Sequence, residues 1–326
     1  MGQANRGWAN RGQAKWPVIA LLALCGCATV SATEPAVQDI TINGKDVFPE
    51  SVTSDAAGNV YVGSSEGTIY RAVPGSTTAE PWVPAQGLPY RLTSVFGVLA
   101  DNSTGRLWAC SNNDFMKPDG GGSRTQLVAF QLKDGHFSRS ATFPAGPAAC
   151  NDIAVDRDDN VWATETLGGR IFVLRRTGPL ELFASGPELV GIDGIAFAGD
   201  GTMYINNVRQ NLVQRVDRKA DGSFAGLTTL TLSQPVNGPD GLRPIGGNRF
   251  LQAEGPGGRV AVVEVDGDRA TITPVKTGLD SSPAVTRVGQ VGYAPEGKIQ
   301  YRMDPALRGK DPGPFVIRAF PLPAGL

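Results

Sequence analysis

The feature that most limits the fold of this chain is a hairpin-like pattern that recurs six times along it. In the clearest copy, residues 150–165, an apolar run, a turn rich in Asp and Asn, and a second apolar run follow one another. Two runs of strand length joined by such a turn indicate a β-hairpin. We call the residue that begins each copy its lead residue, and the six are Glu50, Phe96, Asn151, Asp193, Asp240 and Ser282.

The spacing of the copies predicts the fold class. Successive lead residues are 46, 55, 42, 47 and 42 positions apart, and repeats of about 40–50 residues with four strands each are typical of a β-propeller. The last copy lacks a fourth strand, which residues 37–42, ahead of the first copy, could supply. We therefore expect an all-β chain, a six-bladed β-propeller in which an N-terminal strand closes the last blade and removes an open sheet edge.

The N-terminus has the pattern of a secretory signal peptide over residues 1–32, with basic residues, an apolar run and a small-residue cleavage site. Residues 33–326 are expected to form a single propeller domain, because no Gly/Ser-rich or Pro-rich linker divides them. The protein is then exported, either periplasmic or secreted. Two alternatives remain: an uncleaved anchor, and lipoprotein processing at Cys27, whose surroundings resemble a lipobox.

Charge and composition narrow the partners. Without residues 1–32, 27 Lys and Arg stand against 31 Asp and Glu, a net charge of about −4, which argues against nucleic acid or an anionic membrane surface as partner. We expect a small-molecule substrate and no membrane contact beyond a lipid anchor at Cys27. The one histidine, His136, lies in an Asp-Gly-His turn, so a Ser-His-Asp or Cys-His mechanism has little support.

Oxygen ligands dominate the lead residues. In a propeller the first strand of each blade lines the central channel, so the lead residues are expected to form a ring that contains Glu50, Asp193 and Asp240 as carboxylates and Asn151 as an amide. Buried like charges raise each other's pKa, and a cation offsets that cost. An oxygen-only set favours a hard ion such as calcium or magnesium. The alternative is that these residues only form turns, which a repeat protein repeats.

Three short motifs stand at the lead residues: Glu50 before Ser51-Val52, Asn151-Asp152 with Asp156 four residues on, and Pro239-Asp240-Gly241. With the hairpin repeats, they resemble the gluconolactonase / senescence-marker-protein family of regucalcin-like six-bladed propellers. Related propellers, including paraoxonases, phosphotriesterase-like enzymes and strictosidine-synthase-like proteins, share this fold, so the fold alone does not fix the reaction.

The resemblance implies one divalent cation in the channel, calcium first, with magnesium, manganese or zinc as alternatives. Carried over by blade, its ligands are Glu50, Asp193 and Asp240, with Asn151 beside them facing the substrate. Two positions depart from the family: Asp193 stands where Asn is usual, which adds a negative charge, and Ile153 stands where Gly is usual, which bears on the shape of the pocket.

The expected activity is metal-dependent hydrolysis of a sugar-type lactone or related ester, as in a gluconolactonase. Asp240 is the expected catalytic base, taking a proton from a metal-bound water. Phe96 and the loop of residues 112–122 could form part of the pocket mouth; the alternative for the loop is an insertion at the surface. The alternatives are a non-catalytic exported propeller that binds a ligand or protein, and a hydrolase of other esters such as aryl esters or phosphotriesters.

Two cysteines, Cys110 and Cys150, remain after the predicted signal peptide and lie 40 residues apart. In an exported protein such a pair could form a disulfide between neighbouring blades. The alternative is two separate buried thiols.

Overall fold

A computed structural model describes residues 1–2, 37–113 and 124–326. The predicted signal peptide, Cys27 and most of the loop at 112–122 lie outside the described residues. By its internal contacts, the stretch 37–326 forms one unit, separate from 1–36. No helix among the described residues has the length and apolar character needed to cross a membrane.

Four strands form each of the first three blades, in chain order. The first blade contains β2 (Pro49–Ser54), β3 (Val60–Ser64), β4 (Ile69–Ala72) and β5 (Thr78–Val83), and it follows a short strand, β1 (Ile40–Ile42). The second contains β6 (Ser94–Asp101), β7 (Arg106–Asn112), β8 (Gln126–Gln131) and β9 (Phe137–Thr142). The third contains β10 (Cys150–Val155), β11 (Val161–Glu165), β12 (Arg170–Leu174) and β13 (Leu180–Ser185).

The remaining blades follow the same order. The fourth contains β14 (Ile192–Phe197), β15 (Met203–Asn207), β16 (Leu212–Arg218) and β17 (Phe224–Thr229). After β18 (Thr231–Leu232), the fifth contains β19 (Pro239–Gly246), β20 (Arg249–Glu254), β21 (Arg259–Asp266) and β22 (Arg269–Thr277). The sixth contains β23 (Thr286–Val288), β24 (Val291–Pro295) and β25 (Val316–Pro321), with the helix α1 (Gln300–Met303) between the last two.

The N-terminal strand closes the last blade, as the sequence predicts. β1 pairs antiparallel with β25, with Ile40 opposite Ile317. It also pairs in parallel with β5 of the first blade, with Thr41 opposite Thr78. The first and last blades thereby join in one eight-stranded sheet, and the all-β propeller predicted from the repeats is confirmed.

One strand prediction is wrong in detail. The sixth inner strand begins at Thr286, and Ser282 lies in the loop before it. Pro283 explains the difference, because proline has no N–H for a sheet ladder; its carbonyl instead accepts from the amide of Gly241 at 2.9 Å. Between the fourth and fifth blades, β17 ends at Thr229, and the separate strand β18 pairs in parallel with β22.

The hairpin turns use Asp as the sequence suggests. The carboxylate of Asp156 accepts from the backbone N–H of Asn160 at 2.9 Å and from the indole N–H of Trp162 at 2.8 Å. Asp55 does the same in the first blade, accepting from the amide of Asn59 and from the hydroxyl of Tyr61, each at 2.9 Å. Each Asp therefore fixes the turn and orients the aromatic residue of the following strand.

Apolar side chains from neighbouring blades pack against each other and form the core. One cluster joins Trp108 and Leu127 of the second blade to Phe172 and Leu174 of the third. The same cluster contains Cys110 and Cys150, which the structure joins as a disulfide with a Cα–Cα distance of 5.3 Å. Burial of these blade faces supplies the hydrophobic stabilisation of the propeller.

Candidate functional site

A β-bulge at the lead residue recurs in the first five blades. In each, the pairing between the first and second strands shifts register across the lead residue and the residue after it. A bulge leaves such residues outside the ladder and redirects their side chains. The shifts lie between Pro49 and Val52, Val95 and Val98, Cys150 and Ile153, Ile192 and Ile195, and Pro239 and Leu242.

Four of the lead residues lie close together. Asp193 is the centre of the group: its Oδ2 accepts from the Asn151 side-chain amide at 2.6 Å, and its carboxyl group hydrogen-bonds that of Asp240. Glu50 lies within electrostatic range of both Asp193 and Asp240. The Asn151 amide also donates to the Thr166 hydroxyl at 2.9 Å, which fixes its orientation. We call Glu50, Asn151, Asp193 and Asp240 the carboxylate cluster.

The three acids of the cluster hold their protons unusually tightly. Burial, partly offset by Arg302, raises the pKa of Glu50 to about 7. Burial likewise raises the pKa of Asp193 to about 7, although its hydrogen bond with Asp240 opposes the rise. For Asp240, burial comes first and the charge of Asp193 second, and its pKa lies well above the usual value. Glu50 and Asp240 keep part of their surface open to the channel, but the surrounding protein atoms still desolvate them.

The other two lead residues play different parts. Phe96 is half-buried and packs against the apolar cluster between the second and third blades. Ser282 is fully buried, and its hydroxyl donates to the Ala284 carbonyl at 3.3 Å. Neither the aromatic ring nor this hydroxyl adds a carboxylate to the group.

Close backbone contact between blades explains the glycines that follow several lead residues. A Cβ on Gly194 would lie 2.4 Å from the Asp240 carbonyl oxygen, and one on Gly97 would lie 2.1 Å from the Asn151 carbonyl oxygen. Such distances are impossible for a real side chain. These two glycines therefore allow neighbouring inner strands to approach closely enough for their lead residues to meet.

A buried ion pair between Arg243 and Asp152 lies near the bulges, and the sequence analysis did not predict it. Arg243 donates from Nη1 to Asp152 Oδ2 at 2.7 Å, and the two residues are 7% and 3% exposed. Its Nη2 reaches the Val98 carbonyl at 3.4 Å and Ser51 Oγ at 3.5 Å, so one side chain of the fifth blade contacts the first three blades. One signal was present: none of the residues at the equivalent position in the other five copies carries a charge. They are Thr53, Leu99, Ala154, Ala196 and Val285.

The chemistry of the carboxylate cluster fits a hard cation. Its donors are all oxygen, and among the described residues none of its acids forms an ion pair with Lys, Arg or His. Unneutralised buried carboxylates and hard divalent ions suit each other. The side chains are nevertheless placed to hydrogen-bond one another: the described part of the chain contains no group of three or more His, Cys, Asp or Glu arranged to hold a metal.

Comparison with known proteins supports the fold. Residues 36–72 match the family model for the N-terminal region of strictosidine synthase-like proteins. No curated protein sequence matches the chain.

Several solved structures are similar. The allergen Mala s 1 of Malassezia sympodialis is 16% identical, with 86% of this chain and 95% of that chain covered and a TM-score of 0.62. A luciferin-regenerating enzyme is 15% identical, with 87% and 94% covered and a TM-score of 0.61. A candidate gluconolactonase is 14% identical, with 89% and 94% covered and a TM-score of 0.56. At these identities the likeness carries the fold alone. The chain is a β-propeller.

Proposed function

We propose that this propeller is a divalent-metal-dependent hydrolase of a sugar-type lactone or a related ester. The observation that carries the proposal is the carboxylate cluster: three acids and an amide from four blades, brought together at bulges, with no basic side chain in ion-pair contact among the described residues. Glu50, Asp193 and Asp240 would hold the ion, with calcium the first candidate, and Asn151 would lie beside it. When bound, such an ion polarises a carbonyl and acidifies a water.

Asp240 is the proposed general base. Burial and the neighbouring Asp193 raise the pKa of Asp240, and a bound cation would lower it and favour the ionised carboxylate that a base needs. Asn151 has a side-chain amide held by Asp193 and Thr166, and in the proposal it orients the substrate by hydrogen bonding. Phe96 is half-buried against the apolar cluster of the second and third blades, and in the proposal it contributes an apolar wall to the pocket.

A non-catalytic propeller is the second candidate, and one observation favours it. Asn151, Asp193 and Asp240 already satisfy one another by hydrogen bonds, and buried polar networks of this kind also serve only to specify a fold. The two candidates differ in what Asp240 does. Under the first, its carboxylate is needed for turnover; under the second, it is needed only for structure.

The test combines metal removal with one substitution. Purified protein is stripped with chelator, its metal content is measured by mass spectrometry, and turnover of a panel of lactones, aryl esters and phosphotriesters is assayed after calcium, magnesium, manganese or zinc is restored. We expect turnover to disappear with the metal and return with one ion. Asp240→Asn should lower kcat by about 10²–10⁴, while Asp268→Asn, on an exposed carboxylate paired with Arg215, should leave kcat unchanged. Undiminished turnover in metal-free protein or in Asp240→Asn would exclude the proposal.

A further inference from the structure

One cation near the carboxylate cluster has no acidic partner among the residues that the structure describes. Arg302 lies on α1, and its guanidinium carbon is 5.6 Å from the centre of the Phe48 ring. Within the described residues no hydrogen bond or ion pair of this guanidinium is found. It acts on Glu50 and Glu66 only at a distance: burial raises the pKa of each, and the charge of Arg302 opposes that rise. An arginine with five donors and no acceptor is an open binding group for an anion.

The position of Arg302 is firmly set. Phe48 has a φ of 39°, a left-handed backbone that a bulky residue adopts only under strain, and its ring contacts Phe315 edge-on with centroids 5.0 Å apart. The ring therefore stands two residues before Glu50 as a fixed platform for the guanidinium. Strain of this kind persists when the surrounding structure enforces it, and it is common at ligand sites.

Arg302 lines two cavities. One has a volume of about 390 Å³ and the other of about 1150 Å³, and a ligand pocket typically has about 300–1,000 Å³. Their walls carry an excess of positive charge, with five basic side chains against three acidic ones. The basic ones are Lys45, Arg91, Arg302, Arg308 and Lys310.

This charge pattern is opposite to that of the carboxylate cluster. An anion is attracted to the basic walls and repelled by the acids, so a molecule with an anionic group at one end would bind that end at Arg302. Its uncharged end could then point towards Glu50 and its neighbours. The separation of the two charges would thus orient a ligand as well as attract it.

We propose that Arg302 is an anion-binding residue beside the carboxylate cluster and selects ligands that carry a carboxylate or phosphate group. If the protein hydrolyses lactones as proposed above, its preferred substrate is a sugar lactone with an additional anionic group; this statement about the substrate rests on the proposed function. Binding of the anion itself does not depend on that function.

The first experiment measures binding without catalysis. Calorimetric titration with gluconate, sorbitol 6-phosphate and neutral sorbitol uses the intact protein and the variants Arg302→Gln, Arg302→Lys and Arg269→Gln. Arg269 is exposed on β22 in the fifth blade and is the matched control for loss of one arginine. We expect binding of one or both anions and not of sorbitol, weakened about ten- to hundredfold in Arg302→Gln, less in Arg302→Lys and not in Arg269→Gln. The stronger of the two anions identifies carboxylate or phosphate as the recognised group.

Equal anion affinity in the intact protein and in a folded Arg302→Gln, or no anion affinity in the intact protein, would show that Arg302 serves only to pack on Phe48. Thermal unfolding of each variant establishes that it is folded, and Arg302→Lys, which keeps the charge, covers the case in which Arg302→Gln does not fold.

Kinetics separate this inference from the proposed function. The KM for glucarolactone, which has a free carboxylate, should rise in Arg302→Gln, whereas the KM for neutral gluconolactone should not. Turnover of both lactones with unaltered preference would sink the inference and leave the hydrolase proposal standing. If anion binding requires Arg302 but the protein turns over no lactone or ester, the inference stands and the hydrolase proposal is excluded.

Discussion

Two charged groups occupy the bulges of the inner strands, and they differ in how their charge is balanced. Asp152 has a cation at 2.7 Å, because Arg243 reaches it from the fifth blade. Its neighbour Asn151 belongs to the carboxylate cluster, where Asp193 and Asp240 contact each other and, among the described residues, no basic side chain pairs with them. The β-bulges thus place Asp152 next to a neutralising arginine, whereas they place Asp193 and Asp240 next to each other.

The difference separates a structural role from a functional one. A buried ion pair with further hydrogen bonds is self-contained, and its loss costs stability. Adjacent buried acids without a counter-ion are costly in the folded protein, and groups with such perturbed pKa values concentrate at functional sites. The comparison therefore predicts that changes at Arg243 affect mainly stability, whereas changes at Asp240 affect mainly activity.

The largest effect on stability is expected from Arg243→Met. This substitution leaves Asp152 buried at 3% exposure without its cation, and loss of one partner of a buried pair costs about 3–5 kcal/mol. The free energy of unfolding, measured with urea, checks the value. Arg175→Met, which breaks the exposed pair with Glu181, should cost at most about 1 kcal/mol.

A double variant tests the reason for that loss. If the unpaired charge of Asp152 is the cause, adding Asp152→Asn to Arg243→Met should recover part of the stability, because no buried charge then remains. A loss at Arg243→Met no larger than that at Arg175→Met would contradict the structural role of the pair.

A somewhat smaller effect is expected from the disulfide, the covalent anchor of the strand that carries both Asn151 and Asp152. Reduction should lower the free energy of unfolding by roughly 3–4 kcal/mol, because the bond closes a long loop of the unfolded chain; the two cysteines lie 40 residues apart. Unfolding with and without reductant measures this, and Cys110→Ala/Cys150→Ala should show no response to reductant. Two free thiols at these positions in unreduced protein would rule the bond out.

The repeats made the fold predictable, because each copy carries its own turn signal. Asp156 followed by Asn160 predicts the turn that both residues form, and the spare strand before Glu50 predicts the closure by β1. The prediction for the last copy was wrong because Pro283 interrupts the strand. Ser282 was chosen from the spacing of the repeats, but the strand begins only at Thr286.

The carboxylate cluster was predictable as a list of residues, since its members share one repeat position, and the structure brings Glu50, Asn151, Asp193 and Asp240 together. The role of Arg243 was not predictable from the sequence. Its partner Asp152 lies 91 residues away in the chain, and a local sequence pattern does not reveal a contact between distant blades. Arg302 was missed for a similar reason: α1 lies in the long connection between β24 and β25, outside the repeated strand pattern.

The last prediction concerns the effect of pH on stability, and it tests the carboxylate cluster, whose charge is not balanced. Glu50 and Asp193 have pKa values of about 7 in the folded protein and usual values of 4.5 and 3.8. Between these limits the folded state binds more protons than the unfolded state, so the stability of metal-free protein falls as pH rises from about 4 to about 7. Melting temperatures at pH 5 and pH 8 measure the fall.

A divalent cation should reverse that fall at pH 8 and have little effect at pH 5, where protons compete for the same oxygens. Asp240→Asn is the informative variant, because it removes one acid from the cluster without removing its volume: the fall with pH should become shallower and the response to the cation should be lost. Asp268→Asn should alter neither. A melting temperature of metal-free protein that rises between pH 5 and pH 8 would mean that Glu50 and Asp193 are already ionised in the fold, and the contrast with Asp152 and Arg243 would then lose its physical basis.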